Sequence, residues 1–576
     1  MKSKFEDIQK IKKIFSSPAM KQVVLWSRCV HGKILFTCIL NITAVLCSLG
    51  MTLVTKELVD AAVSSHADVL WRAGMMMVAL VFIQIALRFT LSMLSIRASS
   101  KLQRSLQGKL IRDILTKKYA SLKGYHSGEL VNRVFSDAGV IRGGVLGILP
   151  SLVSTLVSFI GAAAILIALD WRFVLLLTAA GIIGTVIVML FRKPMKERHL
   201  RMQKAEDKLH SSIQETFENI RLIKASISED RVFRQIDSRQ ETMEKEQIRQ
   251  GKFSAVMNNS MGLMFSISWL ICMLWGSAAI FRGELTYGSL AAMIQLIGRV
   301  QGPIASAVGI AGEVYRVIAS AERLMELTDL PSETTGETLK DFDEISIDHV
   351  SFRYEDGTDD VLRDIDCTIR KGDFAALTGT SGGGKTSLFQ LLLGIYNPTA
   401  GRIAFRFGSD EFPACRESRA LFAYVPQGNT LFSGTLRENL MLFTDEASEE
   451  TIREAVRAAC IDDLVEEIGM DAELGERGVG ISEGQAQRVA VARALVTGAP
   501  ILLLDESTSA LDEETEARML KNISAMRDKT CLIVTHRRAA LAICDYRLHM
   551  AEGGMTKKPA MIAEQEDPCT ITKSQD

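Results

Sequence analysis

The chain has 576 residues, 67 Lys and Arg against 68 Asp and Glu, a formal net charge of −1, and 47% apolar residues. This length exceeds what one hydrophobic core organises, and the balanced charge excludes the broad basic surface of a nucleic-acid binder. Mean hydropathy is +0.15, and the apolar excess gathers before about residue 311, so a membrane-embedded half precedes a water-soluble half.

The first 30 residues carry Lys2, Lys4, Lys10, Lys12 and Lys13 around Phe5, Ile8, Ile11, Ile14 and Phe15 at helical spacing. They read as a cytoplasmic amphipathic segment lying on the membrane surface. No cleavable signal pattern is seen. Six apolar segments follow, near 34–54, 73–96, 147–169, 173–191, 259–281 and 287–311. Each approaches the roughly 20 residues that a bilayer core of about 30 Å requires. Lipid cannot satisfy open backbone groups, so these segments are expected as helices. Connections after the first, third and fifth are short, with Asp170-Trp171-Arg172 nearly the whole of the middle one. Those after the second and fourth, 97–142 and 192–252, are long and rich in Lys and Arg, which places them and both termini in the cytoplasm. Apolar residues at Leu209, Ile213, Phe217, Ile220 and Ile223 continue a helical period beyond the bilayer. Near Tyr119–Arg133, Gly124 and Gly128 punctuate a bend where a short transverse helix could dock on a soluble domain.

Gln84, Arg88, Gln295, Arg299 and Gln301 interrupt the apolar runs. They either line a path for an amphipathic anion or pair structurally near the cytoplasmic side. Ten cysteines show no zinc spacing and fit a reduced setting better than a disulfide framework. These patterns divide the chain into 1–30, a membrane domain at 31–325, a polar linker at 326–343, a soluble α/β domain at 344–556, and a polar, disordered tail at 557–576.

In the soluble half, the strand-like FAALT leads into Gly379-Thr380-Ser381-Gly382-Gly383-Gly384-Lys385-Thr386, and a helix then begins with Ser387. This is the phosphate-binding loop G-x-x-x-x-G-K-[ST] in its strand–loop–helix setting. The glycines let backbone N–H groups converge on phosphates, the helix N-terminus adds its dipole, and Lys385 reaches the terminal phosphates. Thr386 can hold Mg2+, and Ser387 beside it is a further candidate nucleotide contact. Farther on, four aliphatics from Ile501 end in Asp505-Glu506. Such acids are commonly a solvated strand end. Paired with a phosphate loop, they suit magnesium ligation by Asp505 and activation of a water by Glu506.

The remaining motifs carry a resemblance. Ile481-Ser482-Glu483-Gly484-Gln485 followed by AQRVAVARAL resembles the LSGGQ signature of ATP-binding cassette (ABC) proteins. Gln427 in YVPQGNTLF is similar to their Q-loop, Ser509–Asp512 to their D-loop and His536 to their switch histidine; Tyr354 is similar to the aromatic that stacks on adenine. HSGELVNRVFSD from His126 and IRLIKASISE from Ile220 resemble the membrane half of ABC exporters, so the likeness spans nearly the whole chain.

The resemblance implies six transmembrane helices with long cytoplasmic extensions fused to an ABC-type phosphate-loop ATPase domain. It further implies a half-transporter working as a homodimer or heterodimer, with ATP and Mg2+ as cofactors. The family's signature closes over ATP held by the opposite cassette, so Ser482, Gly484 and Gln485 would serve the partner's nucleotide, with Asp512 nearby. Glu506 would be the base, His536 would hold the terminal phosphate, and Gln427 would sense magnesium and water. ATP-driven closure would favour an outward-open state, exporting an unidentified substrate (a small amphipathic compound, a drug, a lipid or a peptide-like molecule) through a lipid-embedded domain, most simply in a bacterial plasma membrane. Two other jobs stay open: an exporter-fold importer, for example of metal chelates, and an ATP-gated channel or sensor. Glu483 and Ala486 depart from the signature's usual Gly and Arg. Glu483 is expected to point away from phosphate toward a basic group.

Overall fold

The computed structural model describes residues 17–559, except 335, 356, 381, 445, 476–479 and 527–528. Ser381, the surface segment expected at 5–15, and the tail from 560 lie outside the described residues. The chain forms two compact units. Met1–Leu115 with His126–Asp329 makes one, and Thr116–Tyr125 with Leu330–Asp576 makes the other.

Among the described residues the first unit is built of helices, the solution lipid imposes on a backbone that must satisfy its own hydrogen bonds. Its long helices are His31–Val63, Ala67–Leu115, Ala138–Glu218, Glu229–Phe281 and Tyr287–Thr328. Among the described residues four stretches are long and apolar enough to cross a membrane: Arg28–Val63, Ala67–Leu115, Ser127–Leu175 and Glu229–Phe281. The fourth and sixth predicted segments are also helical, within Ala138–Glu218 and Tyr287–Thr328.

The predicted connector at Asp170 is a break in one long helical run, with φ −159° and ψ 102°. Asp170 Oδ1 accepts the backbone N–H groups of Arg172 (2.9 Å) and Phe173 (3.4 Å), capping the helix that restarts there. Its Oδ2 accepts the Trp275 indole N–H at 2.8 Å, tying the break to Glu229–Phe281. Nearby, Phe173, Leu166, Cys272 and Met293 form a fully buried cluster.

The helix Pro18–Trp26 begins with Ser17 as N-cap and Pro at its first position, both strong start signals. It buries Ala19, Val23 and Trp26 against Leu106, Ile141 and Leu324. Beside it, buried Asp137 pairs with Arg323 and accepts the Ser320 hydroxyl at 2.8 Å. Of the intramembrane polar residues, Arg299 donates to Ser48 Oγ at 2.5 Å and buried Gln301 donates to Ser268 Oγ at 2.6 Å. Both thus bridge helices, while Arg88 and Gln295 are exposed. The nine cysteines among the described residues are all free thiols.

In the second unit a six-stranded sheet runs Gly554–Pro559, Tyr546–Ala551, Phe374–Gly379, Thr530–Val534, Ile501–Asp505, Phe422–Val425. All pairs are parallel except the first. The central strands Phe374–Gly379, Ile501–Asp505 and Thr530–Val534 are buried along their whole length, which explains their mostly apolar sequences. A four-stranded antiparallel sheet runs Leu362–Arg370, Glu344–Phe352, Ala400–Phe407, Asp410–Pro413.

Lys557–Pro559, expected to open the disordered tail, instead finish the edge strand. The cause is the turn: Glu552 and Gly553 sit at φ +49° and +84°, the two left-handed residues of a tight hairpin whose twist matches its strands.

Thr116–Tyr125, flanked in sequence by membrane-unit helices, packs with the second unit. Glu333 donates its N–H to Thr116 O at 2.9 Å, and Lys118 donates to Pro331 O at 3.0 Å. Lys117 Nζ reaches Leu330 O at 2.6 Å. Its short helix Tyr119–Leu122 sets the Tyr119 ring edge-on to Tyr396, 6.2 Å between centroids. A short helix, as anticipated near this bend, is therefore present, and it lies in the same unit as the soluble domain.

Candidate nucleotide site

Sheet register brings the site together. Val534 pairs with both Leu377 and Asp505, and Val425 with Leu504, so four parallel strands end level. The phosphate loop, Glu506, Thr535–His536 and Gln427 all leave from that one carboxyl edge, where open α/β sheets bind ligands.

Gly379 and Gly384 adopt φ +143° and +90°. A Cβ at Gly379 would lie 2.2 Å from Met550 O, and one at Gly384 would lie 2.5 Å from Leu362 Cδ2, so glycine is required on both counts. Buried Lys385 donates to Gly379 O (2.7 Å) and Thr380 O (3.0 Å), drawing the loop carbonyls to one side. The helix Lys385–Leu392 starts at Gly384 and directs its N-terminus into the same loop. Ser387 Oγ shares a hydrogen bond with the Tyr354 hydroxyl at 2.9 Å.

Asp505 is buried, and burial pushes its carboxyl above the usual aspartate range; the Thr386 hydroxyl opposes this and the Glu506 charge adds to it. The Tyr424 hydroxyl donates to Asp505 Oδ2 at 3.4 Å. Thr386 and Asp505 thus offer a hydroxyl and a carboxylate side by side, the hard oxygen donors that Mg2+ prefers. Glu506 takes φ +48°, a left-handed conformation uncommon outside glycine. Gln427 Nε2 donates to Glu506 Oε2 at 2.7 Å. His536 is exposed just past Thr530–Val534.

The comparisons with known proteins agree with this geometry. Residues 34–304 match the ABC transporter transmembrane region family, and residues 362–509 match the ABC transporter family. This chain belongs to the ABC exporters, as one half-transporter. A probable multidrug resistance ABC transporter ATP-binding/permease protein, YheI of Bacillus subtilis, is 29% identical over 79% of each chain. The ATP-dependent lipid A-core flippase of Desulfotalea psychrophila is 27% identical over 80% of this chain and 82% of its own. A bacterial Atm1-family ABC exporter solved with ATP bound shares the fold, with a TM-score of 0.78 over 92% of this chain and 96% of that one, at 20% identity. ATP hydrolysis in this exporter is coupled to transport across a membrane that the chain spans several times.

The exporter's signature serine opens the helix Glu483–Val496 as part of a capping box. Ser482 Oγ accepts the Gln485 N–H at 3.2 Å, and Gln485 Oε1 accepts the Ser482 N–H at 2.8 Å. Neither bond reaches the phosphate loop of the same chain. A Cβ on Gly484 would stand 3.1 Å from Ala510 O, so this glycine also lets the D-loop approach. Glu483 is exposed at the first helical position, and the basic partner expected for it is absent among the described residues. A carboxylate there is favoured by the helix dipole alone. Ala486 is buried in the cassette core. Asp512 caps the helix Glu513–Ser524 by accepting the Thr515 N–H at 2.9 Å, a bond that lowers its carboxyl below the usual range.

Sequence reasoning passed over the residues that hold the D-loop. Gln487 Oε1 accepts the Ala510 N–H at 3.0 Å. Arg537 donates to Leu511 O (2.6 Å), Ser509 O (2.7 Å) and Glu516 Oε2 (2.9 Å). Glu516, wholly buried, also accepts the Thr508 hydroxyl at 2.6 Å. The available signal was an acid four residues into a capped helix and an arginine directly after the switch histidine.

Proposed function

We propose that two such halves, identical or related, form an ATP-driven exporter of a small amphipathic compound, with alternating access as its mechanism. The observation that carries the catalytic part is the meeting of Gln427 with Glu506 at 2.7 Å on the edge that holds the phosphate loop. Tyr354 would stack the adenine, and Gly379 through Gly384 with Lys385 would cradle the phosphates. Ser381 joins that loop by sequence. Thr386, Asp505 and Gln427 would hold Mg2+, which supplies charge neutralisation between the phosphates. Glu506 orients the attacking water and receives its proton, while Gln427 fixes the carboxylate. His536 donates to the terminal phosphate. Ser482, Gly484 and Gln485 would complete the nucleotide site of the other half.

A second copy is favoured by the tip of the second cytoplasmic connection, where Phe217, Leu222, Ile227 and Phe233 are exposed together. Apolar groups concentrated at such a tip suit a docking cleft on another chain. The basic long connections favour cytoplasmic cassettes and termini in a bacterial plasma membrane.

The test is ATP turnover of the purified chain in lipid nanodiscs beside Glu506→Gln, with a panel of amphiphiles. Turnover lost in the variant and stimulated by some compounds supports the proposal, and uptake into inverted vesicles fixes the direction. Folded, ATP-binding protein with no turnover under any condition would refute a self-sufficient homodimer.

A further inference from the structure

Lys123 is the point at which the segment Thr116–Tyr125 meets the ring assigned above to adenine. Its Nζ lies 4.5 Å from the centroid of Tyr354. The ring is held in place: its hydroxyl bonds to Ser387 Oγ (2.9 Å) and donates to Gln390 Oε1 (3.0 Å), both on the helix that follows the phosphate loop. Phe352 and Tyr396 pack on it in edge arrangements, with centroids 4.8 and 5.3 Å away. These two belong to the cassette core, whereas Lys123 is exposed. The face beneath Lys123 is therefore the one a ligand can reach from solvent.

An ammonium over an aromatic face is held by the ring quadrupole, and a purine stacking on that ring needs the same face. We propose that Lys123 and the nucleotide base exchange on one face of Tyr354, so that base binding displaces Lys123 and loosens the seat of Thr116–Tyr125. This rests on the assignment of Tyr354 to the base. Because the segment continues directly into Ala67–Leu115 on one side and Ser127–Asn132 on the other, occupancy of the ring is reported to the membrane unit along the chain itself. Tyr119 against Tyr396, and Tyr396 against Tyr354, make a second contact with the same ring cluster.

The sign of the effect distinguishes exchange from simple attraction. A lysine that merely attracted nucleotide phosphates would weaken ATP binding when removed. A lysine that competes with the base strengthens it. Equilibrium binding of ATP and of tripolyphosphate, which has no base, is measured by titration calorimetry on the full chain in nanodiscs, in a Glu506→Gln background. The expected result is that Lys123→Gln binds ATP about two- to fivefold more tightly, with no gain for tripolyphosphate, and that Lys123→Arg restores the original affinity. Acylation of Lys123 by an amine reagent, read by mass spectrometry, should rise with ATP and not with tripolyphosphate. Tyr354→Ala separates the two levels of the argument. If it leaves ATP binding unchanged, the base does not stack there and the exchange falls with that assignment. If it weakens ATP binding while Lys123→Gln leaves it unchanged or weaker, or tightens both ligands alike, the assignment stands and the exchange is wrong.

Discussion

Replacing Arg537 by alanine removes three hydrogen bonds from the D-loop region, to Leu511 O, Ser509 O and Glu516 Oε2. It leaves the buried Glu516 carboxylate with the Thr508 hydroxyl. Removing one partner of a buried ion pair costs about 3–5 kcal/mol. The Arg537 side chain is 31% exposed, so water reaches the broken pair and about 2–3 kcal/mol is expected. For a domain of this size that lowers the apparent melting temperature by about 4–12 °C. Glu516→Gln removes the charge from the other side, so the double variant should lose less than the sum of the single ones, by about 1–2 kcal/mol. Lys at 537 keeps the charge without the planar fork and should recover only part of the loss. ATP turnover should fall more steeply than stability, because the carbonyls of Ser509 and Leu511 lose their anchor. Melting curves and turnover of the four proteins of the cycle check this. Additivity of the two substitutions within about 0.5 kcal/mol would show that the pair does not hold the D-loop and would refute the reasoning.

Two further predictions concern the rest of the chain. Asp170→Ala removes a helix cap and leaves the Trp275 indole N–H unpaired, at a combined cost of about 2–3 kcal/mol. Asp170→Asn keeps an acceptor oxygen and should be milder. Melting curves with Trp275 fluorescence report both, and equal effects would exclude the capping role. His349, 2.8 Å from Asp364 and 3.7 Å from Asp366, is held above the usual histidine range first by the Asp364 hydrogen bond and then by the two charges. Its small stabilising contribution is full below the ordinary value of about 6.5 and is lost as pH rises through the higher folded value. Asp364→Asn should bring the His349 titration down in an NMR experiment, and an unmoved titration would exclude the pairing.

Much of the nucleotide site was legible because its chemistry is local. A phosphate loop needs its glycines and lysine in one run, and Gly379, Gly384 and Lys385 stand together in the turn between Phe374–Gly379 and the helix Lys385–Leu392. Ser387 shows the limit. Its place beside Thr386 suggested nucleotide contact, while the fold places Tyr354 within reach of its hydroxyl. The tail was misjudged at Lys557–Pro559 because composition carries no information about the two-residue turn at Glu552-Gly553 that recruits them as an edge strand. The basic partner anticipated for Glu483 rested on charge alone, without knowledge of which surface the residue occupies.

Short-range physics is written in the chain order: which stretches are apolar enough to cross lipid, which loop can cradle phosphates, and which motifs stand in register behind it. The folded chain shows what no local pattern does, that Asp170 caps a restarted helix while holding Trp275, 105 residues away in sequence. It alone revealed Arg537 and Gln487 both bonded to the D-loop, and Thr116–Tyr125 seated on the cassette with Lys123 over Tyr354. Those contacts join segments far apart in the chain. Their energies depend on burial and on distances of a few ångströms, which arise only when the sheet register and helix packing are complete.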